Sequence, residues 1–197
     1  MLDAAAELLS ERPPSAVSTR EIAALAGVQQ SLIFRHFGSK EQLVREVAVR
    51  YSLGYRDAVQ AAGADPLAGF HHAVDYMLAT KSSAALFAMA FVGTDPKTWP
   101  SSRPGIESHV TQIRQAQQAG QASTDGRDPR LVSAFVLALM AGWSFLEGWA
   151  LAADSLADLD VEEVRRQLHE VVENLVRTEA GIRPKGGRRG ARKPRGS

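Results

Sequence analysis

The chain has 197 residues, 45% of them hydrophobic, which is enough for one small and one medium helical domain. It has no cysteine, and this excludes a disulfide framework and thiolate metal ligation. Net charge is +1 from 23 basic and 22 acidic residues, yet seven of the basic ones (Arg183, Lys185, Arg188, Arg189, Arg192, Lys193 and Arg195) lie beyond position 182 with no acid among them, so the remaining body is net acidic.

In chain order, Leu2, Ala5, Ala6 and Leu9 predict an amphipathic first helix, stopped by Pro13 and Pro14. Ser18 or Thr19 then offers an N-cap, and Ile22, Leu25 and Ala26 follow at helical spacing. Gly27 supplies the positive φ that a tight turn between packed helices needs, and Val28 plugs the turn into the core. Gln29, Gln30 and Ser31 open the next helix with short polar side chains, while Ile33, Phe34 and Phe37 close it. This is the layout of a helix-turn-helix, whose second helix enters a DNA major groove. A glutamine there can pair with adenine N6 and N7, and the helix N-terminus favours phosphate. Residues 1–50 carry six bases and six acids, so attraction to DNA rests on local placement and on the tail.

Gly38 ends that helix, and Ser39 with Gln42 forms a capping-box pattern for the next. That helix, 41–60, carries Leu43, Val47 and Tyr51 every four residues and is long enough to leave the first domain and enter a second. Asp65 and Pro66 start a helix ending near Thr80. A short apolar helix is expected at 84–92 and a loop at 93–105, because it holds Pro96, Pro100 and Pro104. Further helices are expected at 106–118, 129–153 and 161–178, with a loop at 120–128. The longest uncharged run, 131–146, is short for a membrane span and reads as a buried helix. No apolar run follows a basic start, so a cytoplasmic location is expected. No strand pattern or repeat is present, and the fold class is all-α. The tail from 181 onward is Gly, Pro and Arg, which cannot build a core and is expected to be disordered.

With the flanking pattern, residues 2–47 resemble the DNA-binding domain of the TetR family of bacterial transcriptional regulators. The resemblance is carried by Leu-Asp-Ala-Ala at 2–5, Thr-Arg-Glu-Ile-Ala at 19–23, Ala-Gly-Val at 26–28 and His-Phe-Gly-Ser-Lys-Glu at 36–41. It implies a helix-turn-helix domain at 1–46 and a helical ligand-binding and dimerisation domain at 47–180. It also implies a double-stranded operator, a small-molecule effector and a homodimer as partners, and no membrane. By position, Ser18, Thr19 and Arg20 take phosphate and occasional base contacts, Gln29, Gln30 and Ser31 read bases, and Phe34, His36 and Lys40 stand where the family binds phosphate. Phe34 replaces a usual Tyr, and Leu32 replaces a frequent Thr and can pack a thymine methyl instead. Pro13-Pro14 replaces a usual Gly-aromatic pair.

In the second domain, Val161, Val164, Leu168, Val171, Val172 and Leu175 form a stripe of near-heptad spacing, and Ala134, Ala138 and Gly142 permit close helix approach. Both features suit a four-helix interface about a two-fold axis. Phe70, Met77, Phe87, Phe91, Trp99, Phe145 and Trp149 are the candidate lining of an effector cavity, each also readable as plain core. Glu147, alone among apolar residues, orients a polar ligand group, reaches solvent or pairs with an arginine. His71 and His72 point apart on a helix, and His109 and His169 are isolated, so no metal site is expected. No catalytic constellation or phosphate loop is found, and no enzyme activity or cofactor is implied. The reading is a ligand-responsive regulator, most simply a repressor. The alternative is a small-molecule-binding or interaction module of the same fold whose DNA face has decayed.

Overall fold

The computed structural model describes residues 1–80 and 103–183. The elements are α1 (Leu2–Glu11), a 3-10 turn (Pro14–Ala16), α2 (Thr19–Leu25), α3 (Gln30–Phe37), α4 (Lys40–Ala61), α5 (Pro66–Ala79), α6 (Pro104–Gln118), α7 (Pro129–Leu151) and α8 (Val161–Glu179). Among the described residues the only strand-like pairing is an isolated antiparallel bridge between Ala122 and Ile182. The expected effector residues Phe87, Phe91 and Trp99, the helix at 84–92 and most of the tail lie outside the described residues.

Two hydrophobic cores organise the chain. The first gathers Ala5, Leu9, Val17, Ile22, Ile33, Leu43 and Val47. The second gathers Tyr51, Tyr55, Val59, Phe70, Val74, Met77, Ile113, Val136, Met140, Val172 and Val176. Helix α4 belongs to both. Its buried residues continue every four positions from Leu43 through Val47, Tyr51 and Tyr55 to Val59, so one rigid rod is seated in each core. An ion pair between Arg50 and Asp3 ties α4 back to α1. On the other side, the Tyr76 hydroxyl donates to the Tyr51 carbonyl at 3.2 Å. Gly54 leaves the room for that bond, since a Cβ there would lie 2.2 Å from the Tyr76 hydroxyl oxygen. At the far end of α4, the Gln112 amide donates to the carbonyls of Val59 at 3.0 Å and Gly63 at 2.7 Å.

Several expectations are corrected. Helix α6 starts at Pro104, inside the expected loop, because a proline has no amide to lose in a first helical turn. The capping box at α4 is half formed. The Ser39 hydroxyl accepts from the Gln42 amide at 3.1 Å, but the Gln42 side chain turns to Arg45 and Glu46. Residues 181–183 do not leave the fold. Ile182 is buried, Ser123 donates to the Gly181 carbonyl at 2.9 Å, and Arg183 donates to the Gln121 carbonyl at 2.8 Å. His169 is not isolated. Its Nδ1 lies 3.0 Å from Nδ1 of His71, its Nε2 lies 3.1 Å from Asp75, and His71 Nε2 lies 3.0 Å from Glu173, joining α5 to α8.

Helix α7 is, among the described residues, the one helix long and apolar enough to cross a membrane by length and composition. Val132, Ser133, Val136, Met140 and Glu147 pack it into the domain. Glu147 meets Arg165 of α8 at 3.3 Å, the arginine pairing expected as one alternative. The opposite face stays open: Leu131, Phe135, Leu139, Phe145, Leu146 and Trp149 are exposed.

Candidate nucleic-acid interface

The geometry of the motif starts at the N-terminus of α2. The Ser18 hydroxyl accepts from the Glu21 amide at 3.2 Å, and the Glu21 carboxylate accepts from the Ser18 amide at 2.8 Å, so a complete capping box forms. The same carboxylate takes the Arg12 guanidinium at 2.9 Å. Hydrogen bonds from Ser18, and then Arg12, hold the Glu21 carboxyl down to about 2. Glu21 is thus spoken for, and Arg20 is left exposed with no ion pair to any described residue.

The turn that follows is a Schellman ending. Gly27 sits at φ +66°, its amide donates to the Ala24 carbonyl at 3.2 Å, and the Val28 amide donates to the Ala23 carbonyl at 3.0 Å. This closes α2 and sends the chain into α3. Gln29 is the N-cap of α3, makes no side-chain cap and is exposed. Ile33 is completely buried and fixes the back of α3 to α1, α2 and α4. Gln29, Gln30, Ser31, Phe34, Arg35 and His36 are exposed on the remaining faces. Val28, Gln29, Ser31, Leu32 and Arg35 together line an open hollow of about 360 Å³. The Gln30 Nε2 group donates to the Thr19 hydroxyl at 2.7 Å, a direct link from α3 to α2. Beyond α3, Gly38 turns the chain at φ +75°, and Lys40 takes the first position of α4, half-buried and without an ion pair to any described residue.

Residues 1–47 match the bacterial regulatory proteins of the tetR family. The HTH-type transcriptional repressor Rv3405c of Mycobacterium tuberculosis is 30% identical over 177 residues, covering 89% of this chain and 87% of that protein. The chain belongs to the TetR family. The HTH-type transcriptional regulator Mb3439c of Mycobacterium bovis matches this TetR-family regulator at the same 30% identity and the same coverage. Two solved structures share its fold. The TetR-family regulator PfmR of Thermus thermophilus superposes with a TM-score of 0.59 at 20% identity, over 88% of this chain and 96% of that one. A tetR-family regulatory protein of Rhodococcus RHA1 gives 0.65 at 16% identity, over 93% and 96%.

Of the residues expected to touch DNA in this TetR-family regulator, Gln29, Ser31 and Leu32 line one hollow with Val28 and Arg35, and Ser18, Arg20, Gln30, Phe34 and His36 are exposed. Thr19 differs: it is 8% exposed and its hydroxyl is turned to Gln30. Arg35 was not anticipated. The signal was available, because positions 28, 31, 32 and 35 recur at helical spacing and Arg35 follows Leu32 on the same face. The four expected effector residues that are described are not brought together. Phe70 and Met77 are fully buried in the second core, with Phe70 stacked 3.7 Å from the His109 ring, whereas Phe145 and Trp149 face outward, 53% and 79% exposed. A helix apolar on both sides does not reveal in sequence which side turns inward. A polar groove of about 580 Å³ between α4 and α6, walled by Gln60, Ser108, Thr111 and Gln115, is lined by none of them.

Proposed function

We propose that this TetR-family transcriptional regulator is a homodimeric, cytoplasmic repressor that reads DNA through α3 and is released by a small, largely apolar effector. The observation that carries the reading is α3 itself. It presents a run of exposed polar side chains at its N-terminal end while Ile33 is buried behind it, the arrangement a major-groove probe needs. Gln29, Gln30, Ser31, Leu32 and Arg35 face base edges in this account. Ser18, Arg20, His36 and Lys40 lie towards phosphates, and Phe34 supplies apolar contact in place of a hydroxyl. Repression is suggested by the name of the Mycobacterium tuberculosis relative.

Two recognition helices need a fixed spacing of about 34 Å or a whole number of helical turns. The exposed stripe of α7 supports the pairing that sets it. Leu131, Phe135, Ala138, Gly142, Phe145 and Trp149 follow one another at three- and four-residue steps, and a Cβ at Gly142 would meet no described atom within 4 Å. Helix α4, seated in both cores, is the element through which an effector in the second domain tilts the first. The effector shifts this equilibrium only by its difference in affinity for the two states. The test is duplex binding by the purified protein across a salt series, first with DNA from upstream of its own gene and then with apolar small molecules added. Binding that weakens steeply with salt and is relieved by one such molecule supports the reading. No duplex binding at low ionic strength removes it, and unchanged operator affinity at effector saturation removes the release step.

A further inference from the structure

Resting on the reading that Gln30 meets a base, we infer that Thr19 is a positioning residue for base recognition: its hydroxyl anchors the Gln30 amide in one place and so sharpens the preference of that glutamine for one base. The position had been expected to bind phosphate, but its surroundings suit a different task. Thr19 is 8% exposed, packed at the first position of α2, and its oxygen accepts from Gln30 Nε2 at 2.7 Å. Its own place is rigid. The preceding residue is locked into the capping box with Glu21, and Glu21 is held in turn by Arg12. The Gly27 turn fixes α3 against α2, which puts Gln30 within reach eleven residues later.

An exposed glutamine has three rotatable bonds and an amide that turns over easily. A free one offers a donor and an acceptor in either order. One order matches adenine, which presents N6–H as donor and N7 as acceptor, and the other admits partners with the reverse layout. The bond to Thr19 uses one of the two hydrogens on Nε2. The other hydrogen and Oε1 remain for a base edge. Anchoring of this kind turns a tolerant contact into a selective one, because the amide is held in one place and a base edge that does not meet it there costs the bond to Thr19.

The experiment uses the duplex that the wild-type protein enriches from a random pool, together with its versions carrying each other base pair at every position. Wild type should prefer adenine at one position of each half-site by roughly five- to 150-fold. Thr19→Val keeps the size and burial but has no oxygen. It should lower that single preference at least several-fold, leaving the other positions, the salt slope and the thermal midpoint as they were. Thr19→Ser should restore it. Gln30→Ala should abolish the same preference. If Gln30→Ala relaxes the position but Thr19→Val does not, positioning is overturned while base reading stands. If Gln30→Ala changes nothing, base reading itself falls and takes this inference with it. If Thr19→Val instead weakens all sequences alike and flattens the salt slope, Thr19 is a phosphate contact and the inference is overturned. A measurement on the unaltered protein stands beside these: NMR of the Gln30 side-chain amide should show it ordered and close to the Thr19 methyl group, and a freely moving amide would overturn the inference without any variant.

Discussion

His109 is the residue that most clearly couples burial to chemistry. Its ring lies parallel to Phe70 at 3.7 Å, its Nε2 is 2.9 Å from the Tyr55 hydroxyl, and its Nδ1 has no partner among the described residues. Burial pulls its pKa down to about 3, against 6.5 for a free histidine. The sign follows from that direction. Between about pH 6.5 and 3 the unfolded chain binds a proton that the folded chain refuses, so stability falls as pH falls through this window, by up to about 1.4 kcal/mol per unit. Thermal melts between pH 7.5 and 4.5 should therefore show a steep loss that His109→Gln makes shallower, since glutamine cannot titrate. An identical slope in the variant would place the acid sensitivity elsewhere. On the DNA side, Lys40→Ala should weaken binding to all sequences alike and reduce the salt slope by about one. Arg35→Ala, on the face shared with Ser31 and Leu32, should cost about 1–3 kcal/mol on the enriched duplex if it reaches a base, and should relax selection there; weaker binding with unchanged selection would make it a phosphate contact. At this scale the sequence was legible for exposed residues inside a motif and less so for partners distant in the chain. Ser18, one of two N-caps offered for α2, is the one that forms, whereas the contact of His71 with His169 bridges 98 positions and leaves no local trace.

Helices were the most readable level, because each is announced by a cap and an apolar period. Asp65 and Asp128, each followed by a proline, start α5 and α7 where expected, and Asp160 caps α8 at Val161. Boundaries failed where a residue's usual meaning reverses with position. Pro104 reads as a breaker but begins α6, and Gly181 reads as tail but turns Ile182 back onto Ala122. The α2–α3 turn offers a sharp test of backbone strain. A Cβ at Gly27 meets nothing within 4 Å, so only its φ of +66° opposes substitution. Gly27→Ala should destabilise the protein by about 1 kcal/mol, read from chemical denaturation, and a neutral result would mean the turn relaxes out of the left-handed region. Gly54→Ala acts by crowding instead. The new methyl would displace the Tyr76 hydroxyl from the Tyr51 carbonyl, loosening α5 from α4. An operator response to effector that survives this change intact would argue against transmission through that contact.

Across the whole molecule, α4 makes the two domains a single mechanical object, and α7 leaves that object with an uncovered apolar side. The two-domain plan was legible from a helix too long for the first domain and from the heptad-like stripe after it. The assignment of Phe145 and Trp149 was not, because composition alone gives an all-round apolar helix no inside. Replacing Phe135 and Trp149 together by glutamate should yield a folded monomer by light scattering, with operator affinity reduced far more than any single base contact explains. A dimer that persists would move the subunit contact to another surface. The central claim is that α3 is a groove probe presented twice by a symmetric pair. Selection of bound duplexes from a random pool tests it most directly, since one product reports both base content and spacing. The account predicts inverted half-sites whose centres lie about one helical turn apart, or a whole multiple of it. Enrichment of lone half-sites at no fixed spacing, or of no sequence at all, would contradict it.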